Sequence, residues 1–374
     1  MQTTTLRVSE PQEILAFVPH RLGFRPRDSA VAVSLRPPRG TVGLVVRVDL
    51  PHLADRSDGP ALARALVSFL DRDAARHAIL VLYTDRDPRA EDGPARRAAR
   101  HFREAASAAF GEVAVWVVTP DGYLHLDCTD VCCPPGGRPL RDLDATQVGA
   151  TLVLAGSAVA DSREDLARFR PVHGEIRRSV ARVRRRWERR RAEALVAGHV
   201  DLTRWREESF AAWRTAVAQV TASGAGSGGA PWGRLEAGLA DTQVRDGVLV
   251  ALVPGTGDLA ERSVRGDGSA PDIDAALGRA VSLIIDPSHG VAPPPRATAA
   301  HEAVLEALVG RGRAGAQAPA LTLLALLAWW RGDGARARVL LDGSLDAEPD
   351  YRLARLLDDA LRAAIPPGWV RHPD

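Results

Sequence analysis

All three cysteines of the chain fall within one short stretch, "HLDCTDVCCPPGG", His125 to Gly137. With His125 it spells H-x2-C-x3-C-C, four donors of the kind that hold zinc in a tetrahedron. Two physical objections stand beside that reading. If "DGYLHLDC" is a strand as far as Cys128, alternation turns His125 to the face opposite Cys128. Adjacent Cys132 and Cys133 also splay apart, and the run lacks the C-x2-C spacing of common zinc knuckles. A second chemistry is thiol redox: a disulfide from Cys128 to Cys132 or Cys133, or within the adjacent pair, with Arg138 and Arg141 as sources of positive charge that favour a thiolate. The third reading involves no chemistry, only small apolar residues packed beneath a Pro-Pro-Gly-Gly turn. All three stay open at this stage.

Carboxylates offer another candidate site. Asp49 in "RVDLP" and Asp85 and Asp87 in "LYTDRD" follow β-rich runs, and ligands gather outside the carboxyl ends of parallel strands. Together they could hold Mg2+ for hydrolysis of a phosphate or phosphodiester; equally, "DRDP" is an ordinary polar turn. In "HRLGFRPRDS", Arg25 and Arg27 could receive an anionic cofactor or serve as surface charges. On "HGEIRRSVARVRRRWERRRAEAL", Ile176, Val180, Val183 and Trp187 form one apolar stripe, while Arg178, Arg182, Arg185 and Arg189 follow another face at the same spacing. Such a row can neutralise phosphates of a nucleic acid, but a solvated helix face looks the same. "GAGSGG" (224–229) matches G-x-G-x-x-G in spelling only, since it follows a helical pattern and not a strand. No G-x-S-x-G elbow and no H-E-x-x-H motif occurs.

The elements that must position these residues begin with a helix over "PQEILAFVPHRL", followed by "SAVAVSLR" and "TVGLVVRVD" as a hairpin across "RPPRG". "GPALARALVSFLDR" and "PARRAARHFREAASAAFG" read as helices alternating with the strands "AILVLYTD" and "EVAVWVVTP", which favours parallel pairing with helical crossovers. A turn at Thr119 to Gly122 then returns the chain along "DGYLHLDC", so the sheet is mixed. The expected architecture is an α/β domain over residues 1–140 that ends in the cysteine-rich turn, then a mainly α-helical remainder. Helices fill 141–222, including the arginine-rich one; "SGAGSGGAP", Ser223 to Pro231, reads as a linker; a helical region covers 231–374. "SREDLARFR" begins with Ser162 as N-cap and Asp165 at N3. Near the end, "LTLLALLAWWRGDGARARVLL" resembles a tetratricopeptide-like helix hairpin, one unit and not an array.

Composition removes whole classes of enzyme. The chain of 374 residues has 49 basic residues, every one of them arginine, and no asparagine. Without lysine there can be no Walker A loop, no Schiff base to pyridoxal phosphate and no kinase strand lysine. A net charge of +2 argues against a molecule designed as a whole to bind a polyanion. The N-terminus lacks the basic and apolar regions of a signal peptide. The longest apolar run, Ala320 to Trp330, is about half of the ~20 residues of a membrane span. A cytoplasmic protein with reduced thiols, bound to no membrane, is therefore expected.

"LRVSEPQEILAFVPHRLGFRPRDSAVAVSLR", "GLVVRVDLP", "VLYTD", "CTDVCCPPGGRPL", "AGSAVADSREDLARF", "DTQVRDGVLVAL" and "AWWRGDGARARVLL" follow one another in the order found in an actinobacterial family. On these motifs the chain resembles the family known as domain of unknown function 4192, over most of its length. That resemblance brings no established activity, cofactor or substrate. The residues themselves then point to a non-enzymatic binding or regulatory protein with a protein or small-molecule partner. The rival readings are a carboxylate-metal hydrolase on Asp49, Asp85 and Asp87, and a thiol or zinc-dependent protein on Cys128, Cys132, Cys133 and His125.

Overall fold

The computed structural model describes residues 10–37, 41–154, 156–169, 172–223, 230–266, 270–363 and 365–370. Two compact units divide between Leu166 and Ala167. The "GAGSGG" stretch lies outside the described residues.

The first unit runs α1 (Pro11–Leu22), β1 (Ser29–Arg36), β2 (Thr41–Asp49), α2 (Leu50–Leu53), α3 (Gly59–Arg72), β3 (His77–Tyr83), α4 (Pro94–Phe110), β4 (Ala114–Val118), β5 (Tyr123–His125), α5 (Arg141–Asp144) and α6 (Gln147–Leu154). The five strands form one sheet in the order β2-β1-β3-β4-β5. β1 pairs antiparallel with both β2 and β3, as the expected hairpin requires for the first pair. β3 and β4 pair in parallel across α4, and β5 closes the sheet antiparallel. It follows that β2, β3 and β4 run the same way and end on one edge. Alternation explains the burial: Ala30, Ala32, Leu80, Leu82, Val115 and Val117 join one core with Leu66, Leu70 and Phe102 of α3 and α4. Val31, Val33 and Val81 point the other way and are buried as well, so the sheet is covered on both faces. Gly23 ends α1 in the left-handed region (φ 77°), where a side chain would be strained.

Two expectations about this unit are corrected. β5 stops at His125 and does not continue to Cys128: the Cys128 N–H turns back to the His125 carbonyl (3.2 Å). "SREDLARFR" forms one 3-10 turn, Glu164–Ala167, in place of a longer helix. Its cap is nonetheless made, because Ser162 Oγ accepts the Asp165 N–H (3.3 Å) and donates to the Asp165 carboxylate (2.9 Å).

The second unit is helical among the described residues: α7 (Gly174–Ala197), α8 (His199–Ser223), α9 (Ala230–Leu239), α10 (Thr242–Ala251), α11 (Leu259–Arg265), α12 (Ala270–Ile285), α13 (Pro295–Arg311), α14 (Ala318–Trp330), α15 (Gly334–Ala347) and α16 (Arg352–Arg362). Val180 and Trp187 of the α7 stripe are buried, and Trp187 Nε1 donates to Ser209 of α8 at 2.8 Å. The long apolar run is α14, of which all but one residue is buried. A helix apolar on every side is a core helix, and no described helix is long and apolar enough to cross a membrane. The expected hairpin is present: Asp333 caps α15 by accepting the Arg336 N–H at 3.0 Å. Thr322 and Ser344 join α14 to α15 through their buried hydroxyls (2.8 Å). α14 thus anchors the core of its unit.

Candidate functional site

The cysteine stretch leaves β5 and folds back along the free edge of that strand. Arg138 and Tyr123 exchange both backbone hydrogen bonds, 2.9 and 2.7 Å, which closes the loop between them. Closure depends on glycine at 137: its φ is +80°, and a Cβ there would lie 2.9 Å from both the N and the O of Tyr123. Within the loop the Cys133 N–H donates to the Asp130 carbonyl (2.9 Å) and the Gly137 N–H to that of Pro134 (2.8 Å). Two arginines fix the remaining backbone. Arg89 Nη2, from the segment after β3, donates to the carbonyls of Cys128 (2.9 Å) and Cys133 (3.1 Å). Arg138 Nε donates to the carbonyl of Cys132 (2.7 Å).

The result is convergence of thiols. The three Sγ atoms all lie within 4.8 Å of one another, and among the described residues no other His, Cys, Asp or Glu side chains group in this way. Cys128 and Cys132 Sγ are 3.4 Å apart. Access is graded: Cys132 is exposed, Cys128 intermediate, and Cys133 buried, 3% exposed, where it joins the core of the unit. All three are free thiols. The Asp130 backbone N–H favours the Cys128 thiolate. The hydrogen bond with Cys132, desolvation and Cys133 together outweigh it and push Cys128 up to about 11. Cys132 moves the other way. The hydrogen bond from Cys128 leads in lowering it, opposed by desolvation and helped by Arg138 and Cys133. The two sulfurs share one hydrogen bond, in which either can be the donor.

His125 stands apart from the thiols. Its ring meets Trp116 of β4 edge-on, with centroids 5.3 Å apart and planes at 82°. It is not one of the three grouped donors, and β5, which carries it, ends before Cys128, so alternation along a strand does not relate the two residues.

The carboxylates share an edge without forming a cluster. Asp49, at the end of β2, pairs with Arg47 (2.7 Å) and lies 3.6 Å from His52. Asp85 and Asp87 are exposed beyond β3. Asp87 Oδ1 accepts the Arg89 N–H at 2.9 Å, so this turn presents the arginine that grips the cysteine loop. Sequence reasoning missed Arg89; the only signal for it was the Asp-Pro-Arg turn chemistry. Arg25 and Arg27 are both exposed. The Arg25 N–H bonds the Ala160 carbonyl (2.9 Å), and burial, with the Arg25 charge second, holds His20 below its ordinary value. On α7, Arg178, Arg182, Arg185 and Arg189 are exposed on one face; among the described residues only Arg189 of these four approaches an acid, Glu193, at 3.9 Å.

No curated protein and no solved structure matches the chain. A family model does match, over residues 11–265 and 272–368, which takes in both the cysteine loop and the helical unit. The chain belongs to the family described as a domain of unknown function, DUF4192.

Proposed function

We propose that the protein is a non-enzymatic binding or regulatory protein of the cytoplasm whose α/β unit holds a soft divalent cation, Zn2+ being the natural choice, on Cys128, Cys132 and Cys133. The observation that carries this reading is the approach of three Sγ atoms to within 4.8 Å of one another. Zinc–sulfur bonds of ~2.3 Å in a tetrahedron place sulfurs roughly 3.8 Å apart, so the loop needs only small side-chain adjustments. Three thiolates around a divalent ion leave one net negative charge. Arg89 and Arg138, held against the loop by their bonds to its carbonyls, offset it. Asp130, whose Oδ2 is 3.9 Å from Cys128 Sγ, is the nearest candidate for a fourth position; otherwise that position stays open to solvent or to a partner's ligand.

The test is elemental analysis of protein purified under reductant and without chelator, followed by zinc titration against a chromogenic competitor. One zinc per chain, lost in Cys132→Ala, is expected. A chain that takes up no zinc while all three thiols remain titratable overturns the reading.

A further inference from the structure

The cysteine loop contains a second device besides three donors, which is a pair of sulfurs already in contact. Cys128 and Cys132 Sγ lie 3.4 Å apart, and a disulfide needs them at ~2.05 Å. Side-chain rotation can supply that difference, because Arg89 and Arg138 already hold the carbonyls of both residues in place. Cys132 sits at the tip of the loop beside Val131, which is 98% exposed, so a small oxidant reaches it first. Cys133 is the poorer partner for it on two grounds. Its sulfur is packed in the core of the unit, and adjacent side chains splay from the backbone.

We propose that hydroperoxides convert Cys128 and Cys132 into a disulfide by way of a sulfenic acid on Cys132, and that this expels the bound cation. The expulsion rests on the three-thiol metal reading; the disulfide does not. In the first step the Cys132 sulfur attacks a peroxide oxygen. An S–O bond forms, the O–O bond breaks, sulfur is oxidised by two electrons, and the other oxygen leaves as water or an alcohol after taking up a proton. In the second step the Cys128 sulfur displaces the hydroxyl. The S–S bond forms, the S–O bond breaks, and the hydroxyl leaves as water with the Cys128 proton. The oxidised loop keeps one thiol, Cys133, too few to hold the ion. Reduction by the cell's thiol pool restores all three donors.

The experiment has two arms on the full-length chain. Reduced, metal-free protein receives one equivalent of hydrogen peroxide and is mapped by peptide mass spectrometry. The expected product links Cys128 to Cys132 with loss of two hydrogens and leaves Cys133 reduced. Cys133→Ala still forms that bond, whereas Cys128→Ala halts at a sulfenic acid trapped on residue 132 by a cyclic diketone. A link to Cys133, a sulfinic acid without a disulfide, or three unreacted thiols overturns the proposal. In the second arm, zinc-loaded protein is oxidised in the presence of a zinc dye, and one zinc is expected to leave per disulfide formed. A disulfide that forms with zinc retained overturns the expulsion. A chain that never takes up zinc overturns the metal reading alone, and the first arm still judges the disulfide.

Discussion

The cysteine loop and the arginine helix α7 both stand out in the sequence by composition, and they use their functional groups in opposite ways. Cys128, Cys132 and Cys133 come from a segment without regular structure, yet anchors from outside the loop turn their sulfurs toward one point. α7 is regular over 24 residues, and regularity keeps Arg178, Arg182, Arg185 and Arg189 parallel, so they form a row and not a centre. The helix does supply convergent arginines, on its other flanks. Arg191 meets Arg206 of α8 on the carboxylate of Asp241, and buried Arg184 reaches Glu188 and Glu236. Convergence of side chains thus arises where distant elements meet, and the local density of one residue type is a poor guide to it.

The most severe test of that contrast is Asp241→Ala. Asp241 is 1% exposed, accepts from both Arg191 and Arg206, and caps α10 through the Gln243 and Val244 N–H groups. Removing one partner of a buried ion pair costs about 3–5 kcal/mol because the charges left behind are uncompensated. Urea unfolding should therefore show a large drop in the midpoint, and a loss under about 1 kcal/mol would mean that this junction is not structural.

Next in size is an acid-induced loss of stability from His301 on α13. Its ring stacks on Trp213 (centroids 5.5 Å apart), and burial depresses it to about 4. A histidine favoured neutral in the fold binds its proton more readily when unfolded, so its contribution is complete above the unfolded value of about 6.5 and is lost as pH falls toward 4. The full effect is on the order of 3 kcal/mol. Denaturant midpoints for the wild type should fall across that window, and His301→Phe should flatten that part of the fall. An unchanged profile in the variant would assign the acid sensitivity to other groups.

A smaller effect, on the other side of the comparison, is expected from Arg89→Ala. Arg89 touches no sulfur; it positions two of the cysteines through their carbonyls. Loss of such an outer support lowers metal affinity about 10–100-fold, read by chelator competition with the folded state checked by circular dichroism. Arg89→Lys, whose ammonium can donate to both carbonyls as Nη2 does but from a shorter and more flexible stem, should recover only part of it. Full affinity in the alanine variant would show that the loop holds its shape through Arg138 and Gly137 alone.

These residues also show how far the sequence was legible. Short-range chemistry was readable: the β1–β2 hairpin, the strands separated by helices α3 and α4, the Ser162 cap with Asp165 three residues on, and the break at Asp333 that makes the α14–α15 hairpin. Each depends on neighbours a few positions apart. The end of β5 was not, because "YLHLDC" has strand character throughout, whereas the chain turns after His125, where the Cys128 N–H bonds back to the His125 carbonyl. Arg89 and Asp241 were invisible because the partners they meet across the fold lie 35 to 50 residues away. The helix spelling of α7 did predict its inward stripe, of which Val180 and Trp187 are buried and Ile176 and Val183 half-buried, yet could not say which arginines would find acids.

The unpaired arginine row provides the last and smallest effect. Arg178, Arg182 and Arg185 have no ion-pair partner among the described residues, and Arg189 has one only at 3.9 Å. Exposed positions of this kind contribute within about 0.5 kcal/mol to stability, so the fourfold substitution to glutamine should leave the unfolding midpoint nearly unchanged, in contrast to Asp241→Ala. The same variant decides what the row does for binding. Four arginines that each neutralise a phosphate of duplex DNA give a salt slope of roughly −3 to −4 in log affinity against log salt, and the glutamine variant would remove it. The expected outcome is a flat anisotropy titration at low salt for both proteins, because parallel guanidiniums without a convergent geometry make an ordinary solvated face. A steep slope confined to the wild type would reverse the comparison and make α7 the binding surface of the molecule.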